Sequence, residues 1–230
     1  MKRLITVLII SLAPICLFCQ DANSLLKEVR TKLEKVNDYA AKGILKTNVA
    51  FIKAPLATVN IYYKKPDKMK IVNKNGISFI PKGSANINLN SFLMHTENYE
   101  VIDAGKEPVT GFRILKLLPT DENADIVLST LYIDEAIHVI RKSKNTTRDN
   151  GTYELEMNYS QFADYGLPDK IIFTFNTKDY KLPKGVTFDY DDGSKKTTND
   201  AMKNKKGKVE ITYSSYSINK GVNDKIFNQE

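Results

Sequence analysis

The sequence predicts a mainly β protein in which one curved antiparallel sheet wraps a single amphipathic helix. Three observations predict it. Apolar residues recur at three- and four-residue spacing only once after the first twenty positions, over residues 23–41. Beyond Gly43, apolar and polar residues alternate in short runs, at roughly the 8–12-residue spacing of sandwiches and barrels. Turn signals divide those runs: Asn75-Gly76, Asp134-Glu135, Asn150-Gly151, Gly166-Leu167-Pro168 and Asp192-Gly193. The polar outward faces favour one curved sheet over strands buried on both sides.

The first element reads as a secretory leader at residues 1–19. Lys2 and Arg3 form a positive start, and Leu4–Ile15 is a short apolar stretch. Leu4 to Cys19 is 16 residues, short of the ~20 that a spanning helix needs. Cys16 and Cys19 are the only cysteines. A lipid-modified cysteine usually follows a small residue, whereas these follow Ile15 and Phe18. The expectation is cleavage after Cys19 and an exported chain, with a lipid anchor at Cys16 or Cys19 as the weaker reading. Residues 20–230 then form a single domain without thiols, which excludes disulfides, thiol catalysis and cysteine-zinc sites.

Removing Lys2 and Arg3 lowers the formal charge by two, from +7 to +5. The excess lies in Lys64–Lys74, Lys142–Arg148 and Lys195–Lys208, mixed with Asn, Thr or Asp. Such clusters read as solvated surface, or as a face for anionic headgroups or an acidic partner. No recognition helix or RNA-binding motif supports a nucleic-acid partner.

Asn23 or Ser24 is placed to cap a helix running to about Ala41. Leu26, Val29, Leu33 and Val36 form its apolar stripe, widened by Leu25 and Tyr39/Ala40. Glu28 and Lys32 pair at i,i+4, and Gly43 supplies the stop. Twelve strands are expected at roughly 44–53, 57–64, 68–74, 76–81, 99–104, 110–118, 126–133, 136–143, 151–160, 170–177, 185–190 and 208–218. Val59/Ile61/Tyr63 and Met69/Ile71 alternate on either side of Lys64-Lys65-Pro66-Asp67, where Pro66, having no N–H, marks the corner. Tyr153/Leu155/Met157/Tyr159 against Glu154/Glu156/Asn158 is the cleanest alternation, repeated by Ile171/Phe173/Phe175 and Val209/Ile211/Tyr213. Residues 82–98, with Phe92/Leu93, and 191–206 read as polar loops.

Catalytic and metal chemistry finds little footing. His138 falls in the expected strand 136–142, in antiphase to Ile137 and Val139, and His95 in a loop. No zinc spacing joins them. Asp121, Glu122 and Asp125 lack the ligand spacing of a calcium loop, and Asp189, Asp191 and Asp192 read as a turn. No nucleophile elbow or phosphate-binding glycine loop occurs. The chain reads as a binding protein rather than an enzyme, with no cofactor or metal. About eleven strands around one helix enclose more volume than its stripe fills, so the interior is either a cavity or a packed core.

Several segments carry a family resemblance. Asp21–Lys27 with Leu33–Tyr39 resembles the N-terminal helix of LolA-like periplasmic lipoprotein carriers, the outer-membrane lipoprotein-sorting family. Tyr62-Tyr63-Lys64-Lys65-Pro66-Asp67 is similar to that family's aromatic-basic-basic-Pro segment. Phe112–Pro119 resembles its strand ending in Pro, and Leu131–Ile137 its later hairpin. The resemblance implies an unclosed, half-barrel antiparallel sheet of about eleven strands over a hydrophobic cavity, with the N-terminal helix as part of a lid. It implies a carrier of lipoprotein acyl chains or another lipid, working between an inner-membrane release complex and an outer-membrane acceptor.

Lys65 matches the basic residue, commonly arginine in the family, that holds the lid shut. Leu26, Val29, Leu33, Val36, Val59, Ile61, Tyr63, Met69, Ile71, Phe79, Tyr153, Leu155, Met157, Phe173 and Phe175 are the candidate lining. The family's Trp positions are absent, since the chain has no Trp. The same scaffold also suits a periplasmic sensor or partner-binding module of the anti-sigma-factor-binding type. With a lipidated cysteine it would suit an outer-membrane-anchored receptor.

Overall fold

The computed structural model describes residues 21–48, 56–73, 98–149, 151–176 and 206–228. Among them are one α-helix, α1 (Ala22–Glu34), and ten strands. In chain order the strands are β1 (Asp38–Asn48), β2 (Ala57–Lys64), β3 (Lys68–Asn73), β4 (Tyr99–Lys106), β5 (Arg113–Pro119), β6 (Ile126–Asp134), β7 (Val139–Thr147), β8 (Thr152–Asn158), β9 (Lys170–Asn176) and β10 (Lys206–Ile218). They form one sheet in the order β3-β2-β1-β10-β9-β8-β7-β6-β5-β4, every neighbouring pair antiparallel. β4 to β10 run as a meander, and the β1–β3 hairpins dock on β10. The sheet is open, not a sandwich and not a closed barrel, and among the described strands β3 and β4 are its edges. The expected strands 76–81 and 185–190 lie outside the described residues, as do Phe79, Phe92, Leu93 and His95.

α1 is shorter than its periodicity suggests. It starts after Asp21, which has extended dihedrals and makes no side-chain cap, rather than at Asn23 or Ser24. It ends at Glu34, not near Ala41. Tyr39 and Ala40 suit the edge of a helical stripe, but Tyr39 and Ala41 also alternate with Ala40 and Lys42. As β1 they satisfy two ladders at once, Tyr39 opposite Tyr63 and Ile218, and Ala41 opposite Ile61 and Tyr216. Backbone hydrogen bonds on both sides outweigh continuation of a helix. Gly43 is no stop either. It is buried within β1, where a Cβ would come 2.9 Å from the Thr212 carbonyl oxygen.

The β6–β7 hairpin also departs from expectation. The strand expected from residue 136 begins at Val139, and residues 135–138 form the turn. Asp134 Oδ1 accepts from the Ala136 amide at 3.1 Å, and His138 takes a left-handed φ of 47° to close the loop. His138 is therefore a turn residue, not a strand residue. Pro66 does mark the β2–β3 corner, and the Lys65–Pro66 peptide is cis.

The core lies between the inner face of the sheet and α1. Leu25, Leu26, Val29 and Leu33 descend from the helix, and Val36 follows from the link. They meet Leu45, Val59, Ile61, Leu115, Leu117, Leu131, Ile133, Leu155, Met157, Phe173 and Val209 in one cluster. Burial of each large side chain contributes about 1.5–3 kcal/mol, so the helix adheres through its stripe rather than through propensity. No helix among the described residues is long and apolar enough to cross a membrane.

Candidate functional site

The apolar interior and the fastenings of the helix over it are the two features that form a site. The sheet delivers its side chains in cross-strand rows. Tyr63, Ile61 and Val59 of β2 sit opposite Tyr39, Ala41 and Gly43 of β1. Phe175, Phe173 and Ile171 of β9 sit opposite Tyr153, Leu155 and Met157 of β8. A Cβ at Gly207 of β10 would overlap the Phe175 ring, so that position suits glycine alone. Of the sequence-derived lining residues, Leu26, Val29, Leu33, Val36, Val59, Ile61, Tyr63, Leu155, Met157, Phe173 and Phe175 belong to the buried cluster. Met69, Ile71 and Tyr153 pack against it half-buried, and Phe79 lies outside the described residues.

Sequence alternation found Tyr63 and Tyr213 but missed Tyr216, which joins them and Tyr39 in one aromatic group. Tyr39 stacks on Tyr63 at 5.3 Å between ring centres and meets Tyr216 edge-on at 5.4 Å. Tyr216 also stacks on Tyr213 at 4.9 Å and touches Phe162 at 4.8 Å. A bulge explains the miss. Lys42 pairs with Ser215 and Gly43 with Tyr213, which leaves Ser214 as an extra residue donating to the Lys42 carbonyl at 3.1 Å. One extra residue reverses the parity of a strand, so Tyr213 and Tyr216 face the same interior. Desolvation, reinforced by the neighbouring phenols Tyr213 and Tyr63, pushes Tyr39 well above the usual tyrosine range; burial does the same to Tyr213 and Tyr216. All three stay neutral in the interior.

The helix is fastened at three places by polar contacts. At its C-terminus, Lys65 Nζ donates to the Glu34 carbonyl at 2.6 Å and lies 3.5 Å from Asn37 Oδ1. The Lys65 amide donates to the Asn37 carbonyl at 2.9 Å. Asn219 adds a second tie there, donating to the Lys35 carbonyl at 2.7 Å and accepting from the Asn37 amide at 2.7 Å. Terminal helix carbonyls lack partners within the helix, and a cation there also complements the dipole.

In the last turn of α1, Lys32 Nζ donates to the Ile137 carbonyl at 2.7 Å and the Ala163 carbonyl at 3.2 Å. Leu33 beside it fits over Gly166, where a Cβ would lie 2.9 Å from Leu33 Cδ2. One turn earlier, Glu28 Oε2 meets His138 Nε2 at 2.5 Å. Lys32 and Asn219 were not legible as fasteners, because their partners are carbonyls distant in sequence. A surface cleft of about 490 Å³ between α1 and the start of β4 is lined by Asn23, Leu26, Lys27, Arg30, Thr31, Glu34 and Tyr99. It shares only Leu26 with the residues read as lining. Among the described residues no cluster of His, Cys, Asp and Glu could hold a metal ion.

No family model matches the chain, and no curated protein matches it. Solved structures do. A protein domain from Vibrio parahaemolyticus assigned to outer membrane lipoprotein sorting is similar at a TM-score of 0.57 and 14% identity, over 90% of this chain and 97% of that one. A LolA superfamily protein from Nitrosomonas europaea is similar at 0.52 and 12% identity, over 90% and 97%. The fold is LolA-like. A DUF1329 family protein from Desulfovibrio piger shares it at 0.53 and 11% identity, over 90% and 96%. At such identities the LolA-like architecture is what the structures have in common; the fastenings described above are read from this chain's own residues.

Proposed function

We propose that this chain is an exported carrier that binds acyl chains of lipoproteins, or of another lipid, beneath α1 and delivers them toward the outer membrane. On this reading residues 1–19 are a cleaved leader, and residues 20–230 form one lipid-binding domain in the periplasm. The domain receives cargo from an inner-membrane release complex and passes it to an outer-membrane acceptor. The assignment of the Vibrio domain to outer membrane lipoprotein sorting, and the LolA-like fold, support it.

One observation carries the proposal: the helix fills the apolar interior of an open sheet but is tied to it by a few exchangeable hydrogen bonds to carbonyls. Leu25, Leu26, Val29 and Leu33 together gain about 6–12 kcal/mol from burial there. An acyl chain of about 15 methylenes gains about 12 kcal/mol at ~0.8 kcal/mol per methylene. Exchange of helix for chain is therefore close to balanced, as a carrier that releases its cargo without an energy source requires. Lys65 acts as the lid clasp, and Val59, Ile61, Tyr63, Met157 and Phe173 form the wall that meets the chain.

Native mass spectrometry of the protein purified from its own periplasm tests this directly, showing the mature N-terminus and any retained lipid together. Saturable uptake of a fluorescent acyl probe, reduced by a charged residue at Ile61, Met157 or Phe173 in a folded variant, is the expected companion result. No retained lipid and no uptake would overturn the proposal.

A further inference from the structure

The inner face of the sheet carries one polar group that neither the fold nor the lid accounts for. Ser129 of β6 and Ser143 and Asn145 of β7 are all at least nineteen-twentieths buried, with exposures of 0%, 1% and 5%. Their cross-strand partners outside the trio are Leu117, Leu131, Leu155 and Tyr153. They therefore form a polar island in an apolar wall. Ser129 Oγ donates to Asn145 Oδ1 at 2.5 Å, and Asn145 Nδ2 donates to Ser143 Oγ at 3.0 Å.

Those two bonds leave capacity over. An asparagine amide has two N–H donors and a serine hydroxyl one. The second Asn145 N–H and the Ser143 O–H have no acceptor among the described residues. Ladder hydrogen bonds already hold β6, β7 and β8 in register, so the strands do not need the trio. Buried donors of this kind are costly unless something accepts from them.

We propose that Asn145, with Ser129 and Ser143, is a subsite for the carbonyl oxygen of an ester or amide linkage in the bound lipid. The proposal rests on the acyl-binding reading and makes it more specific. Two neutral donors suit a neutral carbonyl. No cation stands among the cross-strand partners to offset a carboxylate, so a free fatty acid would leave its charge unpaired in the wall. The ligand class is thus a diacylglyceryl-type ester or an N-acyl chain, seated with its linkage against β6–β7.

An ester lipid and its ether analogue isolate the carbonyl. Dipalmitoylglycerol and dihexadecylglycerol compete with a fluorescent acyl probe for the wild-type chain, for Asn145→Leu and for Asn145→Ala. The ester is expected to bind roughly 5- to 10-fold more tightly than the ether in the wild type, the equivalent of one hydrogen bond made in an apolar setting. The ratio should fall to about one in Asn145→Leu. Asn145→Ala removes the same two N–H groups without adding bulk and serves, with the same expected ratio, where Asn145→Leu does not fold. Equal affinities in the wild type, or a preference that survives in both folded variants, would overturn the subsite while leaving acyl binding intact. If neither lipid displaces the probe and the probe itself does not bind, the acyl-binding reading fails and the subsite with it.

Discussion

Replacing Lys65 by methionine keeps the length of the side chain and removes the ammonium from the end of α1. The bond lost is the 2.6 Å contact from Nζ to the Glu34 carbonyl, with the longer approach to Asn37. A charge-assisted hydrogen bond contributes about 1.5–3 kcal/mol when sheltered. This one is exposed to solvent, which brings it to about 1 kcal/mol. Loss of the cation at the helix C-terminus adds about 0.3 kcal/mol. The ties through Asn219 and Lys32 stay in place, so the helix remains docked and opens more often. A shift of about 1.3 kcal/mol multiplies the open population roughly ninefold. Stopped-flow uptake of a fluorescent acyl probe, limited by opening at high probe concentration, should accelerate by that factor in Lys65→Met. Hydrogen exchange of the α1 amides should rise with it, and exchange in β8 and β9 should not. Unchanged uptake and unchanged α1 exchange in a folded Lys65→Met would refute the role given to this residue.

Three further predictions follow from the same contacts. Lys32→Met removes the ties to the Ile137 and Ala163 carbonyls, and because Lys32 is better sheltered than Lys65 it should raise α1 exchange at least as much; combined with Lys65→Met, the two effects should add in free energy. Gly166→Ala places a Cβ 2.9 Å from Leu33 Cδ2 at a φ of 63°, and should lower unfolding stability by about 1–2 kcal/mol in urea titrations, with midpoints similar to wild type refuting the fit described. The Lys170 hydrogen bond at 2.8 Å holds the Glu210 carboxyl below the usual glutamate range against a desolvation that raises it. Its stabilisation is therefore complete above the unfolded pKa and lost as pH falls from about 4.5 through the lowered folded value; the wild-type advantage over Glu210→Gln should be present at pH 7 and vanish in acid.

How much of this architecture is visible in the sequence depends on whether a segment's fate is decided locally. Tyr153–Met157 and Ile171–Phe175 alternate cleanly and lie in uninterrupted ladders, so β8 and β9 appear where alternation puts them. Residues 35–43 are different. Their spacing fits a helix and a strand equally, and only the presence of β2 and β10 on either side makes the strand the better solution. Tyr216 is lost to sequence reading because Ser214 is the inserted residue of a bulge, a feature of the partner strand's register rather than of composition. His138 follows the same rule, since the Asp134 turn takes up the residues that would otherwise extend β7. Among the fastenings, Lys65 is singled out only through the resemblance, which matches it to the family's basic residue before Pro66. Lys32 is not, for its two carbonyl partners lie more than a hundred residues away.

The order of the strands has a mechanical consequence. β3 and β4 follow one another among the described strands yet stand at opposite edges of the sheet those strands form, with all nine of its ladders running between them. In a closed barrel the girth is set by strand number and shear, and widening it means breaking a ladder. Among the described strands no ladder joins β3 to β4, so a change of twist can alter the spacing of those two edges without the loss of a backbone hydrogen bond.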